Sequence, residues 1–128
     1  MPNHLHFISK PTDEYRINQI LQIFSSFTAH EFLKNLKIGD WRLLKYFKDA
    51  AQKENLKSKH HFWQKIQAKN IYSVDYLKQK LEYVHNNPIA KNWQLANERS
   101  DYEYSSACFY DKGSEPIIPI DDIRKLMV

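Results

Sequence analysis

The sequence has 128 residues, enough for one domain. Its 19 Lys and Arg against 15 Asp and Glu give a formal net charge of +4. This basic excess permits a nucleic-acid partner without requiring one. Only two glycines and one cysteine are present, which argues against a glycine-rich phosphate loop and excludes an internal disulfide and a cysteine-based zinc site. The sequence shows neither an apolar run of membrane-spanning length nor a signal peptide, so we expect a cytoplasmic protein without a membrane partner.

The first residues, MPNHLHFI, contain a His–hydrophobe–His pattern within a predicted strand over residues 3–9. Alternate side chains of a strand share a face, so His4 and His6 are expected to point to one side, and Leu5 and Phe7 to the other, toward a core. Two neutral imidazoles on one face form half of a site for a divalent metal ion. The alternative is a polar strand face that carries two histidines by chance of composition.

Apolar residues recur at helical spacing between residues 15 and 36, which predicts a first helix with Thr12 or Asp13 as its N-cap. A second helix is predicted over residues 41–55, after Asp40, whose carboxylate is suited to cap it. The outer face of this helix is basic. Its charged side chains either contact phosphates or form an ordinary solvated helix face.

Residues 62–71 are predicted to contain a short strand, and Ser73 is expected to cap a third helix that extends to residue 86. Pro88 ends that helix, because the residue before a proline is disfavoured in helical geometry. The tail, residues 111–128, is expected to hold a short edge strand and a last helical turn. The sequence therefore predicts three main helices and a few short strands.

The third predicted helix has two different faces. One stripe is apolar and is expected to face the core; it consists of Val74, Leu77, Leu81 and Val84. A second stripe, about a quarter of a turn away, carries two phenols, an ammonium and a carboxamide, on Tyr76, Lys80, Tyr83 and Asn87. Tyrosines beside a core stripe commonly pack their rings at its edge and leave the hydroxyl in water. The functional alternative is that Tyr83 is a nucleophile and Asn87, one turn further on, a metal ligand.

Four short motifs follow one another: MPNHLHFI at 1–8, FWQ at 62–64, LEYVHNNP at 81–88 and DYEYSSA at 101–107. In this order and spacing, the chain over about residues 1–110 resembles the REP-associated tyrosine transposases of the single-tyrosine HUH superfamily. The resemblance implies a ferredoxin-like α/β (α+β) fold, helix-rich with a small antiparallel sheet, as one domain over residues 1–128. That family places a strand and a helix before the HUH motif, so we expect an N-terminally truncated version of the fold.

The resemblance also implies a site and a reaction. It implies that His4, His6 and Asn87 bind Mg²⁺ or Mn²⁺, and that Tyr83 attacks single-stranded or hairpin DNA to form a 5′-phosphotyrosine. A 3′-hydroxyl later resolves this link and seals a new junction. The protein is then expected in the bacterial cytoplasm, on the nucleoid when it is bound to DNA, and a homodimer is left open.

Basic side chains are the candidates for contacts with DNA phosphates. The residues expected to make such contacts are Arg42, Lys45, Lys48, Lys59, His60, Lys65 and Lys80. Trp63 or Trp93 could stack a base, although packing in the core is the more ordinary role of a tryptophan.

Two other functions stay open at this point. The chain could be a catalytically inactive, truncated remnant of the same fold that only binds DNA, or an unrelated small α/β interaction module in which the histidines are incidental. Covalent capture of DNA by Tyr83 distinguishes an active transposase from the remnant. Stabilisation by a divalent metal and salt-dependent binding of hairpin DNA exclude the interaction module.

Overall fold

The computed structural model describes residues 1–64 and 66–127. Within them the chain forms α-helices and short 3₁₀ turns. The α-helices are α1 (Ile17–Gly39), α2 (Trp41–Lys53), α3 (Val74–Asn86) and α4 (Ala107–Lys112). The 3₁₀ turns lie at Asn87–Ile89, Arg99–Asp101 and Ile123–Leu126.

The chain divides into two compact units. The terminal unit combines Met1–Ser9 with Lys69–Val128, and the central unit is Lys10–Ala68. The histidine pair and α3 therefore belong to the same unit, whereas α1 and α2 form the other. The single domain expected from the sequence stays a prediction.

The predicted sheet is wrong, because residues 1–64 and 66–127 contain no strand. Residues 3–9, and the part of 62–71 that the structure describes, lack regular structure, and within 113–127, after α4, the regular structure is one 3₁₀ turn. A strand needs a ladder of backbone hydrogen bonds to a neighbour, and an alternating pattern supplies no neighbour by itself. The ferredoxin-like α/β (α+β) fold with a small antiparallel sheet is therefore wrong for the described chain, which is helix-rich.

Asp40 joins α1 to α2 in the central unit. Its backbone N–H donates to a carbonyl in the last turn of α1 at 3.0 Å. Its carboxylate accepts from the backbone N–H groups of the second and third residues of α2, at 3.0 Å each, so the predicted cap of α2 is confirmed. The predicted start of α1 is wrong, since Arg16 rather than Thr12 or Asp13 is the N-cap.

An aromatic cluster holds the central unit together. Phe62 stacks on Phe32 of α1, with ring centroids 5.1 Å apart and 13° between the planes, and lies 4.9 Å from Phe47 of α2. Trp63 donates its indole N–H to the Thr28 hydroxyl of α1 at 2.8 Å. The FWQ motif therefore joins the two helices, and Trp63 is a packing residue.

Helix α3 begins where the sequence predicts. The Ser73 hydroxyl accepts from a backbone N–H in the first turn at 3.2 Å, which confirms Ser73 as the cap. Of the predicted core stripe, Leu77 is buried, whereas Leu81 and Val84 are half-buried. Val74 is 40% exposed, so its predicted burial is wrong.

Polar contacts hold α3 to the chain that follows it. His85 is only 1% exposed, and its Nε2 lies 2.9 Å from the Ser106 hydroxyl, next to the start of α4. Arg99 donates to Glu82 of α3 at 2.6 Å and to both carboxylate oxygens of Asp111 in α4 at 2.7 Å. A buried histidine and an arginine that bridges two helices thus fix α3 in the terminal unit.

Replacing Phe62 with Ala is expected to lower the free energy of unfolding by about 3 kcal/mol, because this ring contacts both helices of the central unit. Phe27→Ala is the matched control, since Phe27 of α1 is 65% exposed and should cost less than about 1 kcal/mol. Urea unfolding monitored by circular dichroism measures both losses. Equal losses for the two variants would contradict the packing role of the motif.

Candidate functional site

The histidine pair lies in a segment without regular secondary structure. The imidazole centroids of His4 and His6 are 4.8 Å apart, with 81° between the rings, so the two side chains meet without a sheet. Leu5 and Phe7 are 51% and 48% exposed. The prediction that these two side chains enter a core is therefore wrong, because that core presupposed a sheet.

The end of α3 brings Tyr83 and Asn87 to this pair. The Tyr83 ring centroid lies 5.6 Å from that of His6. Asn87, one helical turn further on, places its Nδ2 2.8 Å from Nε2 of His6. The four residues that the resemblance named as ligands and nucleophile are thus gathered in the terminal unit.

Hydrogen bonds select the tautomer of both imidazoles. His4 Nδ1 lies 2.7 Å from Asn3 Oδ1. That oxygen only accepts, so Nδ1 carries the proton and Nε2 keeps its lone pair. His6 Nε2 faces the amide nitrogen of Asn87, which only donates, so this Nε2 also keeps its lone pair. Both rings therefore have Nε2 as the atom that can bind a cation.

The surroundings favour the neutral form of both rings. Burial lowers the pKa of His4, and the charge of the terminal amino group lowers it further. Burial also lowers the pKa of His6, with smaller contributions from His4 and the terminal amino group. Because a histidine must be unprotonated to bind a metal, these lowered pKa values favour metal binding at neutral pH.

The donor set fits a divalent cation after one adjustment. Two imidazole nitrogens and a carboxamide oxygen suit Mn²⁺ better than Mg²⁺, which prefers oxygen ligands. Asn87 turns its nitrogen toward His6, and a half-turn of the carboxamide would present the oxygen instead. In residues 1–64 and 66–127 no three His, Cys, Asp or Glu side chains lie together as a metal-binding group.

Two further side chains border the site. The Trp93 indole centroid lies 5.2 Å from that of His4, a contact that sequence reasoning missed because it favoured core packing for this residue. Trp93 follows Asn87 closely in the sequence, and this proximity indicates that its side chain can lie near the site. Lys80 places its Nζ 5.6 Å from the Tyr83 ring centroid, so a positive charge lies beside the phenol.

In the central unit, positive charges gather around His60. Burial lowers the pKa of His60, and the charges of Lys59, Lys37 and Lys48 lower it further. Such an effect requires ammonium groups near the imidazole. Lys48, Lys59 and His60, all expected to contact phosphates, are thus grouped together with Lys37.

The other expected phosphate contacts are placed differently. Arg42 lies over the Trp41 ring, 5.7 Å from its centroid. Lys45 is 4.0 Å from the Asp49 carboxylate in an exposed pair, which offsets part of its charge. Lys65 lies outside the described residues.

Comparisons with known proteins assign no family. No family model matches the chain, and neither a curated protein nor a solved structure matches it significantly. No helix of the described chain has both the length and the apolar character needed to cross a membrane.

Asn87→Asp is expected to tighten Mn²⁺ binding about tenfold, because a carboxylate is a stronger oxygen ligand than a carboxamide and has no N–H to donate to His6. At saturating Mn²⁺ this corresponds to roughly 1.4 kcal/mol of additional stability. Thermal unfolding over a Mn²⁺ titration measures the difference from wild type.

Asn86→Asp is the matched control for this substitution. It makes the same change one residue earlier, where the carboxamide oxygen lies 3.5 Å from Nη1 of Arg99. We expect it to leave the response to Mn²⁺ unchanged. An equal response of both variants, or no response of the wild type, would show that the proposed ligands do not act together.

Proposed function

We propose that the chain is a transposase-like DNA-binding enzyme that cleaves and rejoins single-stranded DNA through Tyr83, in DNA transposition or in the processing of repeat elements. The observation that carries the proposal is the meeting of His6 with Tyr83 and Asn87, which lie far from it in the sequence. The choice of single-stranded or hairpin DNA as substrate, and of the bacterial cytoplasm and nucleoid as location, rests on the motif resemblance.

The proposed reaction is an exchange of phosphate esters. The Tyr83 side chain is 55% exposed, so its hydroxyl is within reach of a polymer. The phenol oxygen attacks the scissile phosphorus and gives up its proton, while the bond from phosphorus to the 3′ oxygen breaks and that oxygen gains a proton. The 5′ end stays on the protein as phosphotyrosine. A 3′-hydroxyl that attacks the same phosphorus reverses the exchange, so no external energy is needed.

Several side chains would assist the attack by the Tyr83 phenol. His4, His6 and Asn87 would hold a divalent cation, which when bound would supply positive charge for the phosphoryl oxygens. The His6 ring meets the Tyr83 ring nearly edge-on, with 76° between the planes, and this contact orients the phenol. Lys80 adds a second positive charge beside the same ring.

The central unit has basic side chains that would bind DNA phosphates by themselves. Lys37, Lys48 and Lys59 lie near His60, and such a cluster attracts phosphates without regard to sequence. The net charge of the chain, +4, acts in the same direction. The partner is therefore proposed to be DNA, and a second copy of the chain is left open.

A second candidate function is DNA binding without cleavage. One observation favours it: Asn87 directs its nitrogen rather than its oxygen toward His6. The same experiment decides between the two candidates.

Tyr83→Phe is expected to abolish a covalent adduct between the protein and DNA, since it removes the attacking oxygen. The assay incubates the protein and Mn²⁺ with labelled hairpin oligonucleotides that carry a randomised single-stranded flank, and detects adducts that survive denaturing gel electrophoresis. The wild type should form the adduct only when a divalent cation is present.

Tyr76→Phe is the matched control for the loss of a phenol. Tyr76 lies on the same helix as Tyr83, and Lys80 Nζ is near both rings, at 4.9 Å and 5.6 Å from their centroids. We expect this variant to keep the adduct. Hairpin binding by the wild type without any adduct would favour the second candidate, and an adduct formed by Tyr83→Phe would contradict the assigned nucleophile.

Lys80→Met is expected to slow adduct formation about 30-fold, or by ~2 kcal/mol of transition-state stabilisation, because it removes a charge beside the phenol. In the described chain Lys80 forms no ion pair with a carboxylate, so its charge is available to a phosphate. Single-turnover rates measure the loss.

Lys78→Met serves as the charge-matched control. Lys78 is on the same helix but lines a cavity together with Glu82, His85 and Arg99. It should change the rate less than about twofold. Equal slowing by both variants would mean that only the total charge matters, and Lys80 would then have no specific role.

A further inference from the structure

Trp93 differs from the tryptophan that packs in the central unit. Trp63 lies 5.3 Å from Phe62 and donates its N–H to Thr28 at 2.8 Å. The indole of Trp93 is half-buried and lies against His4. A half-buried ring keeps part of its surface in contact with solvent, so Trp93 offers an accessible aromatic surface beside the histidine pair.

The backbone holds Trp93 in a fixed turn directly after α3. The backbone N–H of Trp93 donates to the Ala90 carbonyl at 2.8 Å, and the backbone N–H of Gln94 donates to the same oxygen at 3.0 Å. Gln94 has φ +47°, a left-handed conformation that is unfavourable for residues other than glycine. The Leu95 N–H closes the turn on the Pro88 carbonyl at 2.9 Å. The indole is therefore positioned by the same stretch of chain that carries Asn87.

Four rings make successive contacts at the site, in the order Trp93, His4, His6 and Tyr83. Centroids of contacting rings are 5.2, 4.8 and 5.6 Å apart. Two imidazoles therefore connect the indole to the proposed nucleophile. A strand whose phosphate reaches Tyr83 would thus pass an aromatic surface a short distance along.

We propose that Trp93 stacks a nucleobase that flanks the scissile phosphate and thereby positions the strand over Tyr83, an inference that rests on the proposed function. Indole rings stack every base, because each base has a π face, so this contact gives affinity with little sequence preference. The base is that of a single strand, since a paired base has its faces covered by its neighbours in the duplex. Trp93 is accordingly a positioning residue, and it takes no part in the exchange of bonds.

The test measures binding rather than cleavage, in a Tyr83→Phe background without a divalent cation, so that it does not depend on the chemistry. Trp93→Leu is expected to weaken binding of a hairpin with a single-stranded flank about tenfold, whereas Trp93→Phe, which keeps a smaller ring, should lose less. Thermal unfolding of each variant verifies that it is folded.

An abasic scan identifies the stacked base. One abasic nucleotide is moved along the flank, and at one position it should weaken binding to the Trp93-containing protein about tenfold. Trp93→Leu should lose nothing more at that position, because the partner of the base is already absent. If the losses add at every position, or if Trp93→Leu binds as tightly as the parent, the stacking role is wrong.

Fluorescence provides a second measurement that does not need the Leu variant. In a Trp41→Phe protein, Trp63 and Trp93 are the remaining indoles, and stacking of a base on Trp93 should quench part of the emission when the hairpin binds. Binding without quenching would overturn the proposal. If the wild type never forms a covalent adduct and yet shows the coupled abasic effect, the cleavage proposal fails while the stacking role of Trp93 stands.

Discussion

The contact between Asn87 Nδ2 and His6 Nε2, at 2.8 Å, joins residues that are 81 positions apart. No β-ladder holds residues 3–9 in the described chain. The histidine segment is therefore attached by this contact, by the His6–Tyr83 ring contact with α3, and by the His4–Trp93 ring contact with the chain after α3. One hydrogen bond of this kind contributes about 1 kcal/mol net. The candidate site is therefore assembled by side chains, and we expect the histidine segment to detach from α3 more readily than a strand would leave a sheet.

The opposite side of α3 explains why the helix can present Tyr83 to solvent. His85 is buried against Ser106, and Arg99 bonds Glu82 and Asp111, so polar groups replace much of an apolar core there. Such groups stabilise only when each has a partner. In the described chain no buried side-chain nitrogen or oxygen lacks one. Because His85 is the buried residue of this turn, Tyr83, two residues earlier, faces outward.

Local features of the sequence were predictable, and long-range ones were not. Asp40 and Ser73 cap their helices because a short side-chain oxygen accepts from nearby backbone N–H groups, a rule that needs only neighbouring residues. A sheet needs a partner strand, which the alternation in residues 3–9 could not supply. The approach of His6 to Asn87 was expected from the motif resemblance. The burial of His85 was not predicted, because a histidine on a helix face is ordinarily assigned to the polar side.

The same atom of His6 has two competing uses. A neutral imidazole has one lone pair, on Nε2 here, and it can accept the Asn87 N–H or bind a cation, but not both. Turning the Asn87 carboxamide by a half-turn removes the donor and presents an oxygen in its place. The residue that holds the histidine segment through a hydrogen bond would then hold it through a shared cation. Metal binding would thus strengthen the attachment of residues 3–9 to α3. The fraction of protein with a bound cation and the fraction with residues 3–9 attached would then rise together, because each state stabilises the other.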